Sequence, residues 1–179
     1  EIKECDWSSD VCSSDLESFD SWPLPLTLAN AEVRVNGVTA PLLFVSPLQI
    51  NFQVPWNLAE GAASVDLTVD GISATPVPTQ LVHAAPGIFS ANHATDFAPV
   101  NAAQPAVGGE FLSIFATGLG PVSQNQDDGQ PASDQTLAAT NETVTATLNG
   151  APIQVVFAGL APGMAGTYQV NVKLPTTLP

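Results

Sequence analysis

Apolar and polar residues alternate over several short segments that end at turn-forming residues. Ala31, Val33 and Val35 form one apolar face of a segment that runs into Asn36-Gly37. This alternation predicts a strand with one buried face, and Asn-Gly supplies the positive φ angles of a tight hairpin turn. The same criteria predict further strands at 42–45, 49–54, 64–69, 79–83, 110–117, 144–148, 151–157 and 168–174. No amphipathic helical stretch of ten or more residues is present.

The segments between these strands carry proline, glycine or polar residues. In the strand at 49–54, Ile50, Phe52 and Val54 are predicted to point inward and the intervening residues outward. We expect residues 84–89 to form a joint between domains, residues 90–106 to cross the surface without regular structure, and residues 124–135 to form an exposed loop.

The sequence of one predicted strand pair occurs twice along the chain. Residues 36–44 resemble residues 149–157, and residues 49–55 resemble residues 169–175. A repeat at this spacing indicates two tandem copies of one domain. The prediction is an all-β chain of two tandem immunoglobulin-like antiparallel β-sandwich domains, 17–85 and 86–179. Both domains are expected to be truncated, the first lacking its N-terminal strands and the second its C-terminal strands.

The first sixteen residues do not fit this pattern. Residues 6–16 are similar to the in-frame translation of a short-read sequencing adapter, so residues 1–16 are expected to be artefactual or disordered. Cys5 and Cys12 are the two cysteines of the chain, and both lie in this segment. The alternative, that they form a disulfide or half of a metal site, stays open.

The charge balance excludes some classes of partner. The formal net charge is −14, from 3 basic and 17 acidic side chains. Residues 1–20 hold seven of the acids and one lysine, which leaves ten acids against Arg34 and Lys173. Nucleic acids and anionic membranes require clustered Lys and Arg, so neither is a predicted partner. The sequence also predicts no membrane span, and its composition favours a secreted β-protein.

Candidate polar sites are few, and each has a simpler structural interpretation. His83 and His93 lack metal-ligand partners at neighbouring spacings, and no serine-hydrolase elbow is present. Asp127 and Asp128, with Asp134 nearby, have the oxygen ligands that calcium takes, but their spacing does not match an EF-hand loop and a solvated polar turn is the favoured interpretation. We therefore predict no catalytic, cofactor-binding or metal-binding residues. An enzyme would require Asp127, Asp128 and His93 to converge in a cleft.

Aromatic residues are the remaining candidates for ligand contact. Trp22 and Trp56, with Phe97 and Tyr168, have ring faces suited to stacking on a sugar. Trp22 and Trp56 are the predicted contact residues for such a ligand. The alternative is that Trp56, which follows the proline at a strand end, packs at the rim of a sandwich.

Several motifs together resemble the Solibacter-type uncharacterised C-terminal domain. The motifs are Val35-Asn36-Gly37, Pro41-Leu42-Leu43-Phe44-Val45-Ser46-Pro47, Gln49-Ile50-Asn51-Phe52-Gln53-Val54-Pro55-Trp56, Ala85-Pro86-Gly87-Ile88-Phe89, Phe115-Ala116-Thr117-Gly118-Leu119-Gly120-Pro121 and Phe157-Ala158-Gly159-Leu160-Ala161-Pro162-Gly163. The resemblance covers residues 24–179. It implies a module of large exported bacterial proteins, with no assigned activity, located at the cell surface or outside the cell beside other domains of the parent chain.

Two functions follow as hypotheses. The first is a non-catalytic, extracytoplasmic interaction or spacer module, without cofactors, that contacts an unknown protein or polysaccharide and serves in anchoring, export or adhesion. The alternative is a carbohydrate-binding module of a secreted glycan-active protein. The two differ in whether Trp22 and Trp56 lie exposed on one face or packed beneath a loop.

Overall fold

The computed structural model describes residues 17–19 and 21–178. Over these residues the regular structure consists of strands in antiparallel sheets, so the all-β prediction is confirmed. One sheet is curled into a half-barrel. The chain divides into two compact units. Unit 1 extends to Leu81 and also contains Asp127–Gln130, whereas unit 2 contains Val82–Gln126 and the chain from Pro131 onward.

Unit 1 contains two sheets that share one core. The strands are β1 Glu17–Ser18, β2 Ala31–Val35, β3 Val38–Ala40, β4 Leu42–Ser46, β5 Gln49–Phe52, β6 Gly61–Val69, β7 Ile72–Ser73 and β8 Val77–Leu81. The first sheet has the order β1-β4-β5, and the second has the order β3-β2-β6-β7, with β8 also paired to β6. The predicted inward set of β2 is buried, and it packs with Leu42 and Val45 of β4. Apolar residues of both sheets thus leave water together, which is the main driving force for this packing.

Unit 2 contains one five-stranded sheet with the order β11-β12-β13-β10-β9. Its strands are β9 Gly87–His93, β10 Phe111–Thr117, β11 Ala146–Leu148, β12 Ala151–Leu160 and β13 Tyr168–Lys173. Leu112 of β10 and Val170 and Val172 of β13 form the buried centre of its core. Val170 and Val172 alternate with Gln169, Asn171 and Lys173, so one face of β13 packs on the core and the other carries polar side chains.

The two sequence repeats also share backbone geometry. Asn36 and Gly37 have φ angles of 49° and 79°, and Asn149 and Gly150 have φ angles of 49° and 80°. In unit 1 the register of β4 with β5 shifts between Leu42 and Phe44, and Phe44 then pairs with Asn51. In unit 2 the register of β12 with β13 shifts between Val155 and Phe157, and Phe157 then pairs with Asn171. The turn and the β-bulge therefore recur at corresponding positions of the repeat.

The structure corrects several predicted elements. Residues 87–93, predicted as part of a joint and an irregular crossing, form strand β9 paired with β10. The register skips Phe89, because Ser90 pairs with Phe115 and Ile88 with Ala116. A bulge adds an unpaired residue and interrupts the period of two, which hides the strand from pattern analysis. The strand predicted at 79–83 lies at Val77–Leu81, and the one predicted at 144–148 begins at Ala146.

The inward set predicted for 49–54 is also wrong at its end. Gln53, predicted to face outward, is 6% exposed, whereas Val54 is 46% exposed. Strand β5 ends at Phe52, so the alternation of a strand no longer applies. The backbone N–H of Gln53 donates to the Pro41 carbonyl at 2.8 Å, and its side-chain oxygen accepts a hydrogen bond from Gly129 N–H at 2.8 Å. The burial of this amide therefore follows from a hydrogen bond to a segment distant in sequence.

Candidate functional site

The two predicted contact tryptophans lie in different surroundings. Trp22 is 38% exposed, and its ring centroid lies 4.6 Å from that of Phe19 at an interplanar angle of 44°. Trp56 is half-buried, and its backbone N–H donates to Asp128 Oδ1 at 2.9 Å. Its indole N–H is buried and has no acceptor among the described residues. Trp22 thus presents part of a ring to solvent, whereas Trp56 is held against the Asp127–Gln130 segment of unit 1.

The loop predicted at 124–135 is exposed at Asp127 and Gln130, but Asp128 between them is half-buried. Gly129 is buried, and its carbonyl accepts a hydrogen bond from Leu24 N–H at 2.8 Å. Its φ is +76°, and a Cβ at this position would lie 3.2 Å from the Leu24 carbonyl oxygen. The described residues contain no group of three or more His, Cys, Asp or Glu side chains able to hold a metal. One carboxylate oxygen of Asp128 therefore serves to fasten this segment to Trp56.

His83 and His93 each pair with a carboxylate, but with different burial. His83 Nε2 lies 2.8 Å from Glu142 Oε1, and both side chains are exposed. His93 Nδ1 lies 3.0 Å from Glu110 Oε2, and its Nε2 lies 3.3 Å from the Gln104 carbonyl oxygen. The hydrogen bond to Glu110 and then that to Gln104 raise the pKa of His93 above its ordinary value. Because both ring nitrogens face acceptors, the imidazolium form satisfies both contacts.

This histidine anchors the loop that follows β9. The other oxygen of Glu110 accepts a hydrogen bond from Val107 N–H. Ala94 N–H donates to the Phe111 carbonyl at 3.0 Å, so both ends of the loop are tied to the start of β10. Residues 94–109 are thereby fixed against the sheet of unit 2.

Phe97 lies just after the turn that follows β9, in an unusual conformation. Its φ is +57°, and the residue is 54% exposed. Its N–H donates to the His93 carbonyl at 2.9 Å, and its carbonyl accepts from Asn92 Nδ2 at 2.8 Å. Its ring centroid lies 6.3 Å from that of Phe115. A bulky residue in the left-handed region is a backbone outlier, so these contacts maintain a conformation that Phe does not favour.

A row of polar side chains crosses the sheet face next to this loop. We name Asn92, Ser113, Gln169 and Asn171 the polar strip. Ser113 pairs with Asn92 on one side and with Asn171 on the other, so the three side chains share a face. Asn171 Oδ1 accepts two hydrogen bonds, from Ser113 Oγ at 3.1 Å and from Gln169 Nε2 at 2.8 Å.

The polar strip was not predicted from the sequence, although the repeat contains a signal for it. In unit 1, Gln49 Nε2 donates to Asn51 Oδ1 at 2.7 Å, which matches the bond between Gln169 and Asn171. The sequence Gln-x-Asn therefore recurs with the same side-chain hydrogen bond. Asn92 and Ser113 carry no comparable signal, since they join the strip only through strand register.

Of the other aromatic candidates, Tyr168 is not available as a stacking surface. It is buried, and its hydroxyl donates to the Gly120 carbonyl. Burial raises the pKa of Tyr168 to about 12. The Tyr168 hydroxyl thus fixes the glycine-marked end of β10, where Gly118 and Gly120 have φ angles of 69° and 84°.

Comparisons with family models, with curated proteins and with solved structures find no match to the chain. The similarity to the Solibacter-type domain therefore rests on the sequence motifs and stays a prediction. Among the described residues, no helix is long and apolar enough to cross a membrane.

Proposed function

We propose that the chain is a non-catalytic interaction or spacer module of a larger exported or cell-surface bacterial protein, built from two Ig-like units. The observation that supports this proposal is that half-buried carboxylates form structural hydrogen bonds. Asp128 binds the backbone N–H of Trp56 in unit 1, and Glu110 binds His93 and the backbone N–H of Val107 in unit 2. These bonds fasten loops to sheets, which suits a rigid module that presents surfaces to partners.

The extracytoplasmic location rests on two sequence features. Beyond residue 20 the chain carries ten acidic and two basic side chains, and the full chain is rich in proline, with 16 residues. The motifs shared with the Solibacter-type domain point to parent proteins that are exported. An acidic surface also disfavours nucleic acids and anionic membranes as partners.

Two parallel assays test this function. Purified protein is incubated with chromogenic ester, glycoside, phosphate and peptide substrates, and separately sedimented with isolated bacterial cell envelopes. The proposal predicts saturable co-sedimentation and no turnover above that of heat-inactivated protein. Turnover that falls tenfold or more in a His93→Gln or Asp128→Asn variant would show an enzyme and overturn the proposal.

A carbohydrate-binding module is the second candidate, and one observation favours it. Unit 2 places the exposed ring of Phe97 near a strip of amide and hydroxyl side chains. Flat rings beside amides are the groups that bind sugars, because a sugar has apolar C–H faces and a rim of hydroxyls.

A further inference from the structure

The conformation of Phe97 conflicts with local sequence preference. At φ +57°, Gly or Asn is the favoured residue, and a large aromatic side chain is strained. The ring is nevertheless more than half exposed, so core burial does not account for its retention. The described aromatic contact of the ring is the one with Phe115, on the surface of the sheet. Residues held in strained backbone conformations occur preferentially at functional sites.

The side chain of Asn92 is bonded to Phe97 through one polar atom, while its other polar atom is left without a partner among the described residues. Its Nδ2 group donates to the Phe97 carbonyl, while its Oδ1 is buried and has no donor among the described residues. Buried polar atoms are nearly always paired, so an unpaired one requires an explanation. The bond from Asn92 Nδ2 to the Phe97 carbonyl, which holds the strained backbone, provides that explanation.

The polar strip contains both a hydrogen-bond donor and a hydrogen-bond acceptor that are not used within the described structure. Asn171 Oδ1 is saturated by Ser113 and Gln169, but the Nδ2 donor of Asn171 and the Oε1 acceptor of Gln169 have no partner among the described residues. Both side chains are half-buried and fixed by their shared bond. A hydroxyl group, which donates and accepts at once, complements this pair.

We propose that unit 2 binds an uncharged polysaccharide, with a sugar ring stacked on Phe97 and sugar hydroxyls bonded to Gln169 and Asn171. This inference rests on the proposed interaction-module function and names its partner. Charge supports a neutral glycan, since ten acids against two basic residues beyond residue 20 repel acidic polymers. Stacking combined with hydroxyl contacts also requires a flat, hydroxyl-rich ligand.

Unit 1 contains a matched control for this site. Gln49 and Asn51 repeat the hydrogen-bonded pair of unit 2, and Phe44 occupies the place of Phe157 beside it. The described residues of unit 1 include no aromatic residue at positive φ, whereas Phe97 of unit 2 is one. The proposal therefore assigns binding to the pair in unit 2.

The test measures retention of the full chain in gels containing cellulose derivatives, xylan, mixed-linkage glucan or dextran. We expect Asn171→Ala and Phe97→Leu to weaken binding at least tenfold, whereas Asn51→Ala and Phe97→Trp stay within twofold of the parent. Far-UV circular dichroism confirms folding of each variant. If Asn171→Ala does not fold, the pair Gln169→Ala and Gln49→Ala replaces it with the same expectation.

Three results would overturn the inference. They are no retention by any neutral polysaccharide, equal loss in the Asn51 and Asn171 variants, or parent-like retention of Phe97→Leu. Cell-envelope binding that persists after enzymatic removal of polysaccharide, with no glycan retention, would identify a protein partner. In that case the interaction-module function would stand while its glycan partner would be rejected.

Discussion

Residues with left-handed backbone conformation occur in two different settings in this molecule, the hairpin turns and the loop after β9. The hairpin turns at Asn36-Gly37 and Asn149-Gly150 use the residues that tolerate positive φ, whereas the loop after β9 places Phe97 at +57°. The hairpin turns connect strands, and their residues suit that role without strain. The loop instead carries an exposed aromatic residue whose backbone is hydrogen-bonded to Asn92 and His93. The difference indicates that backbone preference is obeyed where the chain only turns and is broken where a side chain must be presented.

The largest effect that this comparison predicts is at Gly118. Its φ is +69°, and a Cβ there would lie 2.1 Å from the Ala85 carbonyl oxygen. Gly118→Ala combines left-handed strain with a backbone clash, so we expect a loss of about 2–5 kcal/mol in the free energy of unfolding. Urea denaturation followed by circular dichroism measures it. A loss below about 1 kcal/mol would show that the backbone at the end of β10 shifts to accommodate the added Cβ. Close packing would then not determine the conformation of this turn.

A smaller loss is expected at the hairpin turns. Gly37 and Gly150 have φ angles of 79° and 80°, but a Cβ at either position meets nothing within 4 Å. Gly37→Ala and Gly150→Ala therefore carry left-handed strain alone, about 1 kcal/mol each. The same urea titration checks them. Unequal losses at the two positions would contradict the view that the repeats share one turn geometry.

The smallest effect is a pH dependence of the loop that carries Phe97. The raised pKa of His93 means that its contribution to stability is complete below the unfolded value of 6.5 and is lost as pH rises through the folded pKa. We expect protection of the amides of residues 94–109 against hydrogen exchange, corrected for intrinsic rates, to fall over this interval. His93→Gln should remove the dependence, and His83→Gln should preserve it. A dependence that follows His83 instead would contradict the assignment.

Sequence pattern predicted the fold best where strands follow local rules. The apolar face of β2 and both Asn-Gly turns lie as the alternation and turn chemistry indicate. Strand β9 was missed because its bulge at Phe89 breaks the period of two. Gln53 was assigned to the wrong face because its burial depends on Gly129, a residue far away in sequence.

The candidate site was less accessible to sequence analysis than the fold. Asn92, Ser113 and Asn171 come from three strands, and only their register brings them into one row. Phe97 was a candidate stacking residue because of its ring alone. Its strained φ angle, which gives the stronger argument, depends on hydrogen bonds that no local pattern encodes.

The most direct test of the account replaces Phe97 with Gly and measures stability and binding on the same preparation. Gly relieves the left-handed strain, which is worth about 1–2 kcal/mol, but its unfolded state is more flexible by up to about 1 kcal/mol. Loss of the ring contact with Phe115 costs a further ~0.5–1.5 kcal/mol, so we predict a free energy of unfolding within about 1 kcal/mol of the parent while neutral-glycan binding falls at least tenfold. Phe97→Asn should behave in the same way. A stability loss above about 1 kcal/mol with unchanged binding would contradict the account and show that Phe97 is a structural residue.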